Sequence, residues 1–351
     1  MIYYSILALL IGLRLWPGLN QRATVPLGTI AIVGLFIFSA FRYEVGCDWF
    51  GYVVQYDVGD GFDSFQSFFE MREPLWWMLV YAIRLADLSF PWVNITTSLI
   101  FFAGAYHIAR RQPDRLGFVV LLFPVLIFNM PMSGVRQGAA IGIMCFAFTA
   151  YCDRRLLRFL LYTALASGFH SSAILFFLLA PSIGSVNKRW RVALTALLAI
   201  PGIYLLAMSA SADDAHSRYV LGLGTSETAA GAAFRMSMVA ATGAYFLLAL
   251  RRKWDARFPE EYRLIYLLSI AMIGILSLLP LNTIIADRIG YYFIIPQMII
   301  LTRIPYFPAE DRLPNTTLPV FLGYGALFIL WSFESWFFRV CYLPYKMWSF
   351  W

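Results

Sequence analysis

Charge is what this sequence lacks most: Asp, Glu, Lys and Arg make up only 13% of its 351 residues. Soluble domains carry about 25% charged residues, because a folded globule needs a water-facing surface. So little charge could not cover a globule of this size, so a soluble enzyme is excluded and much of the surface must face lipid. Histidine is scarcer still, at three residues. The four cysteines, Cys47, Cys145, Cys152 and Cys341, show no CxxC spacing and indicate neither a metal site nor a disulfide framework. Cys145 and Cys152 fall inside one expected helix. Internal repeats and low-complexity tracts are absent, as are the inverted repeats of many transporters. Residues 1–13 are apolar without a basic start or a small-residue cleavage site. They read as a retained first span that starts outside and ends at Arg14.

What is present is hydrophobic: 60% of the residues, with a mean hydropathy of +0.69. A helix needs roughly 20 apolar residues to cross the hydrocarbon core. Blocks of about that length predict spans near 2–13, 24–41, 74–88, 91–109, 116–131, 134–152, 156–168, 171–183, 192–209, 233–250, 262–279, 289–302 and 317–334. The expected fold class is therefore all-α, with 1–351 as a single transmembrane domain. It is a polytopic integral membrane helical bundle of roughly 11–13 membrane helices, short or re-entrant ones included. The pieces 156–168 and 171–183 are each too short to be comfortable spans. They read as a broken or re-entrant pair meeting at residues 168–172 on the outer side, where protein or a water-filled cavity must surround the open backbone.

The formal charge is +7, yet its placement argues against nucleic acid, since no stripe of cations interleaved with aromatics remains. Basic residues gather at 110–115, 153–158, 186–191 and 251–260, acidic ones at 42–73 and 209–232. By the positive-inside rule the basic loops are cytoplasmic and the acidic ones outside. Phe62, Phe65, Phe68 and Phe69 stand at near-helical spacing, which suggests an amphipathic helix on the outer surface within 42–73. An odd number of crossings must separate 42–73 from 110–115, and two apolar blocks lie there. The block 74–88, which contains Arg84 and Asp87, reads as the interfacial or re-entrant one.

Polar residues at membrane borders are costly and mark candidate sites. Arg42, Asp48 and Tyr52 follow the second span. For Arg42 a snorkelling anchor at a helix end is the structural alternative, and Asp48 and Tyr52, four apart, would share a helical face. In Ser133-Gly134-Val135-Arg136-Gln137, Ser133 suits an N-cap. Arg136 then falls in the first turn, where a cation opposes the helix dipole. That placement makes sense if an anion binds there, or if Arg136 pairs with Glu73 or another outer acid. His170, with Ser171 and Ser172, occupies the expected helix break, where a hydrogen-bonded structural role competes with a functional one. Asp287-Arg288 precedes a span expected near Ile289, a local ion pair being the alternative. Arg42, Arg136 and Arg288 thus place cations at one outer level among acidic loops, a pattern that fits a phosphate-bearing, membrane-embedded ligand.

These residues resemble the EpsG family of bacterial exopolysaccharide proteins, which is similar to the Wzy polymerases. The resemblance rests on Phe41-Arg42-Tyr43 with Gly46, Asp48 and Tyr52, and on Glu73-Pro74. It continues through Arg136-Gln137, Phe169-His170-Ser171, Asp287-Arg288 with Tyr291 and Tyr292, and Leu343-Pro344-Tyr345. It covers nearly the whole chain. Cys47 stands where a Thr or similar residue is common, and the 209–232 loop has no counterpart.

The resemblance implies a GT-C-like fold in the bacterial plasma membrane with the active site facing the periplasm. It implies a polymerase that moves a growing glycan from undecaprenyl diphosphate to a sugar hydroxyl of the next lipid-linked repeat unit. In that expectation Arg136, with Gln137, Arg288, Arg42, Tyr52 and Asp287, binds substrate diphosphate. His170 is the base, with Asp48 or Glu73 behind it. The reaction is a metal-independent inverting transfer needing no cofactor. The partners are the lipid-linked donor and acceptor and the bilayer, with export and chain-length proteins of the same pathway beside them. A glycan ligase differs only in its acceptor. A flippase would spread its charges through the membrane depth, and an O-acyltransferase would present its donor site to the cytosol.

Overall fold

The computed structural model describes residues 2–16, 18–58, 73–184, 231–307 and 318–349, with positions 190, 193 and 197 besides. No strand occurs among the described residues, and one isolated antiparallel bridge joins Arg42 to Met347. Five described helical stretches are long and apolar enough to cross a membrane: Arg22–Ala40, Val135–Cys152, Ala232–Arg257, Pro259–Leu278 and Thr283–Tyr306. Leu318–Glu334 and Trp336–Tyr342 add a sixth if the pair, bent by 85°, is one span. Shorter apolar helices accompany them, among them Ile2–Leu15, Pro74–Leu85 and Leu156–Phe169. The protein is an all-α polytopic membrane protein. The expected aromatic helix around Phe62–Phe69, the span at 192–209 and nearly all of the 209–232 loop lie outside the described residues.

The chain divides into two compact units, Met1–Cys145 with Met298–Trp351, and Phe146–Gln297. Unit one opens with α1 (Ile2–Leu15), α2 (Gln21–Ala40), α3 (Trp49–Val58), α4 (Pro74–Leu85), α5 (Pro91–Ala109) and α6 (Arg115–Leu122). It also holds the start of α7 (Val135–Cys152). Asp114 caps α6 through the Gly117 N–H at 2.8 Å. α4 has 12 residues and rises only about 18 Å, short of the hydrocarbon thickness. α5 occupies 91–109 as expected, and Asn94, Thr97 and Ser98 in its first half are buried. A Cβ on Gly104 would lie 1.9 Å from the Gly142 carbonyl oxygen, so α5 and α7 cross backbone to backbone, as small residues permit in lipid.

α2 and α5 separate two polar ends of unit one. At one end Arg14 pairs with Asp114, Arg115 donates to Thr29 Oγ1 at 2.8 Å, and Arg303 Nε donates to Gln112 Oε1 at 2.9 Å. At the other, Arg42 follows α2 and reaches Asn94 near the start of α5. The cations of the 110–115 loop therefore stand at the end opposite Arg42.

One expectation is overturned here. Cys47 and Cys341 form a disulfide, although the spacing of the four cysteines indicated none. The two residues are 294 positions apart, and local spacing carries no information on a pair that only the fold brings together.

Unit two holds the end of α7, then α8 (Leu156–Phe169) and a 3₁₀ segment (Ser171–Ser182). It continues with α9 (Ala232–Tyr245), α10 (Arg251–Arg257), α11 (Pro259–Gly274) and most of α12 (Thr283–Arg303). α8 and the 3₁₀ segment pack against each other, as do α9 and α11. The break falls at His170, within the expected 168–172. The remaining helices, α13 (Leu318–Glu334) and α14 (Trp336–Tyr342), belong to unit one.

Candidate functional site

Two polar clusters emerge, one in each unit. In unit one α7 begins at Val135, one residue later than a Ser133 cap would set it. The Ser133 hydroxyl instead donates to Asp48 Oδ2 at 3.4 Å, a correction to its expected capping role. Arg136 is the second residue of α7, so it does occupy the first turn. Its Nη1 donates to Glu73 Oε2 at 2.7 Å. Its Cζ lies 5.6 Å from the centre of the Tyr52 ring and 5.8 Å from that of Trp76. Arg136 Nε is buried and has no hydrogen-bond partner.

Local structure sets each of these groups. Glu73 has a φ of 68°, which turns the chain sharply into Pro74, the first residue of α4, where a missing N–H costs nothing. Asp48 precedes α3, and its carbonyl accepts from the Tyr52 N–H at 3.1 Å. The two residues are therefore one turn apart, as their spacing predicts. Asp48 is exposed and Tyr52 buried. Burial pushes the Tyr52 phenol up to about 12; Asp48 adds to the rise and Arg136 draws it down. Gln137 is buried beside Arg136 in sequence.

Arg42 is not a snorkelling anchor. It is 1% exposed. Nε donates to the Val45 carbonyl at 3.0 Å, Nη1 to the Ser39 carbonyl at 2.8 Å and Nη2 to Asn94 Oδ1 at 2.8 Å. The guanidinium staples the end of α2 to the following loop and to α5.

In unit two His170 is buried, with Nδ1 and Ser172 Oγ 2.6 Å apart. Ser172 Oγ in turn donates to Tyr292 OH at 3.4 Å. Asp287 is held chiefly from another helix, with its neighbour Arg288, the structural alternative, adding its charge. It receives Arg235 through Nε at 3.0 Å and Nη2 at 2.8 Å on Oδ1, and Nη2 at 2.8 Å on Oδ2. Arg235 Cζ lies 5.4 Å from the centre of the Tyr291 ring. α12 starts at Thr283 because Asn282 caps it, accepting from the Ile284 and Ile285 N–H groups at 2.9 and 3.0 Å. Arg288 is thus one turn inside its helix and does not open it.

Arg235 was missed. It stands in the first turn of α9 inside a long apolar block, and a cation there is signal enough for a candidate. Among the described residues no three His, Cys, Asp or Glu side chains come together as a metal-ion donor set.

The family model that matches the chain is that of the EpsG family, over residues 26–347. Neither a curated protein nor a solved structure matches it.

Proposed function

The chain belongs to the EpsG family, and from that membership we propose that it is a polysaccharide polymerase acting on lipid-linked repeat units at the outer face of the plasma membrane. In this reading the bond between the anomeric carbon of the growing glycan and a diphosphate oxygen of its undecaprenyl carrier breaks, and the electron pair stays on the diphosphate. A hydroxyl oxygen of the next lipid-linked unit bonds to that carbon from the opposite side, inverting it, and its proton passes to a base. No metal enters this scheme.

The observation that carries the proposal is Arg136. It sits where a helix's free N–H groups and dipole favour an anion, so its own charge costs stability unless an anion joins it. Glu73 supplies one carboxylate contact in the meantime. The side chain is 31% exposed, which leaves the guanidinium open to a second oxygen. The Tyr52 and Trp76 rings hold the guanidinium in place by cation–π attraction. A planar fork so fixed suits the charge that grows on a departing diphosphate. Asp48 and Tyr52 border the same guanidinium, Gln137 follows it on α7, and Arg42 positions the loop that carries Asp48. Arg288 is assigned to substrate binding in unit two, where Asp287 holds Arg235 and His170, hydrogen-bonded to Ser172, is assigned the proton.

The disulfide and the charge placement support the orientation. Disulfides persist in oxidising compartments, which favours an outer position for Cys47 and Cys341, while the Arg110–Arg115 loop follows the positive-inside rule. An impermeant thiol reagent applied to intact cells should label Glu44→Cys and spare Lys253→Cys; the reverse pattern contradicts an outer-face site. His170→Ala and His170→Gln should both accumulate single lipid-linked units while the protein stays folded. Normal polymer from the two variants would return His170 to a structural role.

A further inference from the structure

Residues 341–348 are tied to residues 38–47 by contacts that the transfer chemistry does not itself require. Besides the Cys47–Cys341 disulfide, Gly46 N–H donates to the Cys341 carbonyl at 2.7 Å, Tyr43 N–H to the Lys346 carbonyl at 3.0 Å and Trp348 N–H to the Phe41 carbonyl at 2.7 Å. The Tyr345 hydroxyl donates to the Phe38 carbonyl at 2.8 Å, its ring stacks on that of Phe38, and Lys346 pairs with Glu44. The loop's other side abuts the turn that opens α7. Gly46 has a φ of 110°, and a Cβ there would lie 2.0 Å from the Met132 carbonyl oxygen. Only glycine adopts that backbone at so close an approach without strain. The residue after Cys47 is Asp48, which accepts from Ser133 in the same turn. Strap, loop and the first turn of the Arg136 helix are one packed path within unit one.

We propose that the Cys47–Cys341 disulfide positions the donor site: it presses the loop onto the α7 turn, so that Asp48, Tyr52 and Arg136 share one geometry, and a thiol oxidant outside the cytoplasm must close it for full activity. This rests on the reading of Arg136 as the diphosphate site. Closure joins the two sulfurs and releases two protons and two electrons, which reduce a disulfide-bearing oxidant to its dithiol. Cys47 and Cys341 touch no substrate and are positioning residues.

The test uses the purified full chain. Peptide mapping without reductant should recover Cys47 joined to Cys341. With free thiols blocked first, the folded protein is reduced and alkylated at that pair, then compared with untreated protein and with Cys47→Ser. Deuterium exchange across residues 41–52 should rise. The donor kcat/KM should fall about tenfold, with kcat falling too, because Arg136 acts on the departing diphosphate. Recovery of both cysteines as free thiols from cells overturns the proposal. So does reduction, once verified, that leaves exchange and kcat/KM unchanged. The exchange readout needs no turnover, so it is independent of the donor-site reading, which fails instead if Arg136→Gln polymerises normally.

Discussion

Arg136 in unit one and Arg235 in unit two are built to one plan and finished differently. Each lies in the first turn of its helix, faces a carboxylate from a distant element and stands over a tyrosine ring. A cation so placed opposes the helix dipole, and in both units an acid offsets that cost. Arg235 grips Asp287 through two nitrogens and three contacts. Arg136 meets Glu73 through one nitrogen and also engages Tyr52, and its side chain is 31% exposed against 18% for Arg235. On the proposed function, the difference separates a pair that ties a fold from one whose arginine is left open to a ligand oxygen.

The largest effect expected is on the tied pair. Arg235→Ala leaves Asp287 buried without its fork and should cost about 3 kcal/mol of stability, lowering the thermal midpoint by roughly 5–10 °C. Arg235→Ala with Asp287→Ala should recover much of that loss. A single variant as stable as wild type would erase the contrast with Arg136. Next comes Arg136→Lys, which keeps the charge and loses the planar fork. Its polymerisation rate should fall roughly a hundredfold, the equivalent of about 3 kcal/mol of transition-state stabilisation, with the thermal midpoint nearly unchanged. Full activity in the Lys variant excludes bidentate binding. The smallest effect belongs to Glu73→Gln. It removes an internal competitor for Arg136, so donor KM should fall severalfold at constant kcat. A collapse of kcat would instead make Glu73 the base.

Much of this contrast lies beyond the reach of a sequence. The apolar block at 91–109, the break at His170 and the first-turn place of Arg136 were legible, because periodicity, helix length and capping are local properties. The partners were not. Arg136–Glu73 spans 63 positions and Arg235–Asp287 spans 52, and the structural alternative for Asp287, its neighbour Arg288, rested on adjacency, the only local cue. The Cys47–Cys341 bridge failed for the same reason over a longer interval. The start of α12 was placed six residues late because Pro280-Leu281-Asn282 reads as a loop, and the weight of Asn282 as a cap was missed. For Arg42 neither diphosphate binding nor the snorkelling alternative foretells the carbonyls of Ser39 and Val45 converging on one guanidinium.

The central claim is that Arg136 binds the diphosphate and does not hold the fold. Its most direct test is Arg136→Gln, purified beside wild type, with polymer formed from lipid-linked repeat units and thermal unfolding followed on the same preparations. The account predicts a folded protein whose polymerisation is lowered by about a hundredfold or more, with any stability lost to the unpaired, buried Glu73 recovered when Glu73→Gln is added. A Gln protein that polymerises normally, or one that unfolds before it can be assayed, contradicts it.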